Sequence, residues 1–196
     1  MTSSVQHTRL PGPIQAIAWN RDCTSIAVSH LSNDLSHASH DVIIYEITFT
    51  PAGQLSWSKV AVLKGHEQLV SGLHWAPGSD QILSCSYDRN AFGGRVSGPP
   101  AAAQGPWEKQ MVITRLTKGA LCVRWSPSET KFAIGSAARV VSVGYYDKES
   151  NWWACKMIRK AHESSVVCVS WHPNSLLLAT GSTDKRVRLF NAYMDG

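Results

Sequence analysis

Four tryptophans stand in nearly the same surroundings. The segments "IQAIAWNRDCTSIAVS", "VSGLHWAPGSDQILSCS", "ALCVRWSPSETKFAIGS" and "VVCVSWHPNSLLLATGS" align without a gap on Trp19, Trp75, Trp125 and Trp171. A chain that repeats itself builds one supersecondary unit several times and buries the apolar faces of each unit against its neighbours. The intervals between these tryptophans are 56, 50 and 46 residues. A propeller repeat runs ~40 to 45, and loop insertions account for the excess.

Within each unit the pattern before the tryptophan has period two. Two positions back stand Ile17, Leu73, Val123 and Val169; three back stand Ala16, Gly72, Cys122 and Cys168. This predicts a strand with one face in a core and small residues where backbones crowd. Cys122 and Cys168 are accordingly expected to be small buried residues rather than reactive thiols. Seven residues after each tryptophan, Ile26, Ile82, Phe132 and Leu178 open a second apolar stretch, and "APGSD", "SPSET" and "HPNSL" supply turn chemistry between. Third strands are predicted at 41–47, 139–145 and 185–190, rich in β-branched and aromatic residues. Fourth strands open at Trp57, Trp107 and the pair Trp152-Trp153. Four short antiparallel strands per unit describe the blade of an all-β propeller. The expected organisation is one repeat domain over 1–196, with blades at 14–63, 70–114 and 120–158 and a partial fourth at 166–193.

The stretch "DRNAFGGRVSGPPAAAQGPW", residues 88–107, has the composition of a linker but lies inside the second unit. Gly93 and Gly94 weaken a strand through backbone entropy and lost side-chain packing. A frayed third strand at 90–96 and an enlarged mobile loop at 97–106 are therefore predicted.

Two residue sets invite a chemical reading. Trp57, His66, Trp75 and Asp88 stand at steps of 9, 9 and 13, and Trp153, His162, Trp171 and Asp184 repeat the same steps. With Ser84, Ser86, Ser182 or Thr180 nearby, these resemble parts of a nucleophile triad. A catalytic triad occurs once per domain, so recurrence favours a structural role: each histidine bonding a strand hydroxyl and the turn aspartate. The stretch "SHLSNDLSHASH", with His30, His37 and His40, lacks regular ligand spacing and is expected to be a solvated insertion. No phosphate-binding loop, dinucleotide fingerprint or H-E-x-x-H is present. Neither a cofactor nor a metal is expected, and no enzymatic activity.

Apolar residues make up 43% of the chain, enough for a core, yet no run approaches the ~18 residues of a membrane span. The start "MTSSVQHTRL" has no signal-peptide core. Five cysteines without a C-x-x-C pair argue against a disulfide framework or zinc site and for the reducing cytoplasm. The net charge of +5 is spread along the chain, a mild bias toward anionic partners that is too weak to predict nucleic-acid binding.

The segments "LCVRWSPSETKFAIGSAARVVSV", "NWWACKMIRK", "WAPGSDQILSCSYDRNAF" and "WHPNSLLLATGSTDKRVRLFNAY" resemble the WD40 family, and within it the WD40 subunits of the actin-related protein two/three complex, which nucleates branched actin filaments. The resemblance covers about Ile14 to Tyr193. Phe190, six after Asp184, stands where the family's often-lost tryptophan would be. The resemblance implies a non-catalytic scaffold in the actin cytoskeleton whose partners are the other subunits, including the actin-related proteins, and the actin filament. The family's propeller has seven blades, so this chain is expected to be an open part of one, a shortened form. Its actin-facing insertion lies in later blades, and no residue here inherits that contact. An open half-ring leaves a face and strand edges uncovered, so the chain alone is expected to self-associate, to be poorly soluble or to need a partner. The alternative is a generic WD40 platform binding peptide or nucleic acid, favoured if basic and aromatic residues converge on one rim, or an inactive fragment.

Overall fold

The computed structural model describes residues 7–31, 40–51, 53–96, 107–150 and 152–193. Fifteen strands form four antiparallel sheets in strict chain order. Sheet 1 holds β1 (Ile14–Trp19), β2 (Ser25–His30), β3 (Val42–Phe49) and β4 (Leu55–Leu63). Sheet 2 holds β5 (Val70–Trp75), β6 (Gln81–Ser86), β7 (Ala91–Val96) and β8 (Trp107–Val112). Sheet 3 holds β9 (Ala120–Trp125), β10 (Lys131–Ser136), β11 (Val141–Asp147) and β12 (Trp152–Ile158). Sheet 4 has three strands, β13 (Val166–Trp171), β14 (Leu177–Ser182) and β15 (Val187–Asn191). Among the described residues no helix is long and apolar enough to cross a membrane.

The spacing of seven has a direct geometric meaning. Trp19, Trp75, Trp125 and Trp171 pair across their hairpins with Ile26, Ile82, Phe132 and Leu178. Cross-strand partners project from the same face. Each pair therefore points forward, toward the preceding blade. The opposite, back face of each sheet packs on the front of the next. Ala27, Val42 and Ile44 of sheet 1 meet Val70, Leu73, Trp75 and Ile82 of sheet 2. Ala133, Val141 and Val143 of sheet 3 meet Val166, Val169 and Leu178 of sheet 4. Each fully buried Leu, Ile or Phe here contributes ~1.5–3 kcal/mol. The innermost strands β1, β5, β9 and β13 touch in succession, so the blades fan around an arc.

Side chains bridge these inner strands, because no backbone ladder joins one sheet to the next. Ser71 Oγ donates to the Ala120 carbonyl at 2.6 Å, and the backbone N–H of Trp125 donates to His74 Nδ1 at 2.9 Å. Burial, reinforced by the Arg124 charge, lowers the His74 pKa to about 4. His74 is thus a neutral imidazole with a lone pair free to accept.

Four expectations are corrected. β7 is not frayed: Ala91 through Arg95 pair with β6 and Ala91 through Val96 with β8. A Cβ at Gly94 would come within 3.2 Å of Leu63 Cδ1 and 3.4 Å of the Trp107 ring, so this part of the strand is packed closely by its neighbours. Cys168 is exposed, unlike buried Cys85, since nothing among the described residues packs on the back of sheet 4. Ile17, expected in a core, is 53% exposed on the uncovered front of sheet 1. β11 and β15 begin two residues later than predicted, because Arg139 and Lys185 occupy left-handed turn positions at φ 67° and 66°. The loop at 97–106 and His37 lie outside the described residues.

Candidate interaction surface

The two histidine sets come together in space. His66 Nδ1 lies 2.8 Å from Asp88 Oδ2, and its Nε2 lies 2.9 Å from Ser84 Oγ. His162 repeats this with Asp184 at 2.9 Å and Thr180 at 2.8 Å. Both carboxylates also accept backbone N–H groups: Glu67 and Asn90 donate to Asp88, Glu163 and Arg186 to Asp184. Asp184 receives Arg188 Nη1 in addition, at 2.8 Å. Burial opposes ionisation of Asp184, but the bonds from Glu163, Arg188, His162 and Arg186 outweigh it and hold its carboxyl well below the usual range. Burial lowers the His66 pKa, against the pull of Asp88. A neutral His66 then donates from Nδ1 and accepts the Ser84 hydroxyl at Nε2.

Ser84 and Thr180 are both buried. In blade 3 the corresponding offsets from Trp125 fall on Leu116, Ile134 and Ala138. Leu116 and Ile134 are buried in an apolar cluster. One blade thus fills with methyl groups the positions that two others fill with a hydrogen-bond network.

The tryptophans form the aromatic part of this framework. Trp75 and Trp125 are buried; Trp107 meets Trp75 edge-on at 6.0 Å, and Trp153 meets Trp125 at 5.3 Å and Phe132 at 5.1 Å. Trp57 stands edge-on to Tyr45. Trp171 donates its indole N–H to the Arg124 carbonyl, while Phe190 pairs with Leu178 and packs at the edge of the same cluster. Trp19 stands apart, 46% exposed. Among the described residues no group of three His, Cys, Asp or Glu side chains is placed to hold a metal ion.

Charge is distributed unevenly between the two rims. Antiparallel order sends the second-to-third-strand turns and the blade-to-blade connections to one rim. The turns place Arg89, Arg139 and Lys185 there, each in the left-handed region. The connections add Lys64, Arg115, Lys118, Arg159 and Lys160, all exposed. Glu67 and Glu163 are the exposed carboxylates among the described residues of these segments, and Glu163 is paired with Arg186 at 2.6 Å. The opposite rim is mixed, with Asp22, Asp80, Glu129, Asp147 and Glu149 beside the cations Arg21 and Lys148. Sequence reasoning missed this polarity because the charges are scattered along the chain. The recurring basic residue three after Ser86, Ser136 and Ser182 was the available signal. Tyr87 is the exposed aromatic among the described residues of the basic rim.

Comparison with known proteins places this geometry. The WD domain, G-beta repeat family matches residues 57–92 and 153–191, the two segments that carry the histidine networks. Actin-related protein 2/3 complex subunit 1A of Arabidopsis thaliana is 41% identical over 188 residues, covering 96% of this chain and 45% of the relative. Subunit 1A-B of Xenopus laevis is 40% identical over 96% of this chain, and subunit 1 of Schizosaccharomyces pombe 34% over 98%, each across 46% of the relative. The chain spans about half the length of the curated relatives it matches. Among solved structures, a crystal structure of Sqt1 from Chaetomium thermophilum superposes with a TM-score of 0.72 at 18% identity, covering 93% of this chain and 45% of that one. At that identity the likeness concerns the fold.

Proposed function

We propose that this chain, which matches the WD domain, G-beta repeat family over residues 57–92 and 153–191 and resembles subunit 1 of the actin-related protein 2/3 complex along nearly its whole length, is a non-catalytic scaffold of that complex. In this reading it packs among the other subunits of the nucleator of branched actin filaments, alongside the actin-related proteins, in the actin cytoskeleton of the cytoplasm. The observation that carries the reading is identity of 33–42% over 94–96% of the chain, a span that takes in loops as well as strands. Propeller geometry dictates strand faces and turns, but not loop surfaces.

The basic rim adds a mode of engagement: an anion-attracting face for an acidic protein surface, steering encounter at low salt. Base stacking needs several exposed aromatics, and the single Tyr87 does not favour nucleic acid. Affinity-tagged chain expressed in cells and recovered at low and moderate salt tests the proposal. Actin-related proteins in the eluate support it. Their absence, with the chain folded and other proteins retained, overturns it in favour of a different WD40 platform.

A further inference from the structure

One front-face pair between the second and third strands recurs in all four sheets. Its members are Ile26 and Tyr45 in sheet 1, Ile82 and Gly94 in sheet 2, Phe132 and Gly144 in sheet 3, and Leu178 and Phe190 in sheet 4. Three blades place one aromatic ring at this pair, from either strand. In sheet 3 the Phe132 ring fills the space that a Cβ on Gly144 would take. Sheet 2 sets glycine against isoleucine and supplies no ring. Leu63 and the Trp107 ring close on Gly94 without filling the space: a cavity of about 460 Å³ remains between the outer strands of sheets 1 and 2, bordered by Leu63, Ile82, Phe92, Gly94 and Trp107. These two sheets pack on one another through a shared buried cluster, so the cavity lies inside the arc.

We infer that this cavity is a binding site for a small aromatic acid, whose planar ring takes the place of the side chain that sheet 2 lacks. Its volume lies within the ~300–1,000 Å³ of small-molecule sites. Its floor is apolar and closed to solvent, with Val42 and Ile82 each 1% exposed. Phe92 and Trp107 offer a ring the offset and edge-on contacts that aromatic pairs prefer. The polar end is cationic. The Lys109 ammonium lies against Gly65 and 4.6 Å from the centroid of the Phe92 ring, and exposed Lys64 stands nearby. Glu108 also borders the cavity, at a strand position that projects from the other face, so the two lysines outnumber it at the mouth. His66 and Ser84 engage their polar atoms with each other, with Asp88 and with the Phe92 carbonyl. Lys109 is therefore the donor that a carboxylate on the ring would meet, through a charge-assisted hydrogen bond. The inference concerns this cleft and stands or falls separately from assembly with actin-related proteins.

Isothermal titration of the full chain with 2-naphthoate should give saturable binding with a Kd of roughly 100 μM or tighter. The neutral analogue 2-naphthalenemethanol and the saturated, non-planar decahydro-2-naphthoate should each bind about 10-fold more weakly. Lys109→Gln should weaken 2-naphthoate ~10-fold and leave 2-naphthalenemethanol within ~2-fold. Ile82→Phe copies the pairing of Phe132 with Gly144 in sheet 3, so its ring should enter the cavity and abolish binding of all three probes. Circular dichroism checks that this variant folds; should it not, Lys109→Gln, at an exposed position, decides the outcome. The inference is overturned by the absence of saturable binding up to about 1 mM, by equal affinity for the three probes, by binding that a folded Ile82→Phe chain retains, or by a Lys109→Gln chain that binds 2-naphthoate as well as the wild type. N-acetyltryptophanamide binding more tightly than 2-naphthoate would overturn it in favour of an aromatic side chain from a protein partner.

Discussion

Replacing Asp88 with alanine removes the carboxylate on which three donors converge: His66 Nδ1, the Glu67 N–H and the Asn90 N–H. Glu67 is exposed, so its amide turns to water; the His66 side chain, 4% exposed, has no such recourse. Losing a hydrogen bond to a charged group costs ~1.5–3 kcal/mol, and a buried donor left unpaired costs ~1–3 kcal/mol. Asp88→Ala should therefore destabilise the fold by about 3–4 kcal/mol. Blade 3 indicates how to recover that loss. Its Leu116, Ile134 and Ala138 occupy the positions of His66, Ser84 and Asp88 with no polar group to satisfy. The triple variant H66L/S84I/D88A should accordingly be more stable than Asp88→Ala alone, within ~2 kcal/mol of the wild type. Urea titration at pH 7 and one fixed protein concentration, followed by tryptophan fluorescence and far-ultraviolet circular dichroism, measures both midpoints and slopes. A loss under about 1 kcal/mol for the single variant, or a triple loss equal to the sum of the three singles, refutes the reasoning.

Stability should fall as pH drops from about 7, because the folded-state pKa of His66 is lowered and the unfolded chain takes up a proton near ~6.5 that the fold refuses; His66→Gln should flatten this part of the urea-midpoint profile. The depressed carboxyl of Asp184 contributes above its unfolded value near ~3.9 and loses that contribution as pH falls below it; Asp184→Asn should flatten the acid arm in the same titration. Gly144→Ala should cost ~1–3 kcal/mol, since a Cβ there overlaps the Phe132 ring, and thermal unfolding reads the loss directly. Timed alkylation with mass spectrometry at pH 8 should label Cys23 and, in dilute solution, Cys168 first; burial pushes the Cys122 thiol up to about 11 and Cys85 further still.

The blade plan was legible because its signals are local. The seven-residue step from each tryptophan is a hairpin register, and the Pro-Gly-Ser-Asp turns fix it. The recurrence of His66 with Asp88 and of His162 with Asp184 could be seen without coordinates, because both partners keep fixed offsets within one unit. What depended on neighbouring units was not legible. Cys168 and Cys122 share one local pattern but differ in exposure, since a following sheet covers one and not the other. Gly93 and Gly94 read as weakening their strand, yet both pair along it, and Gly144 makes room for the Phe132 ring of the adjacent strand. The charged rim arises only when connections distant in sequence are folded to the same side.

The basic turns carry a conflict between durability and recognition. Arg89, Arg139 and Lys185 close their hairpins at φ 74°, 67° and 66°, a conformation that disfavours a side chain by about 1 kcal/mol and suits glycine. Replacing all three with glycine relieves that strain and removes three of the cations gathered on that rim. Selection for heat resistance alone would tend to erase this face, so its persistence over generations of thermal screening would be a measure of what the rim is worth to whatever it holds.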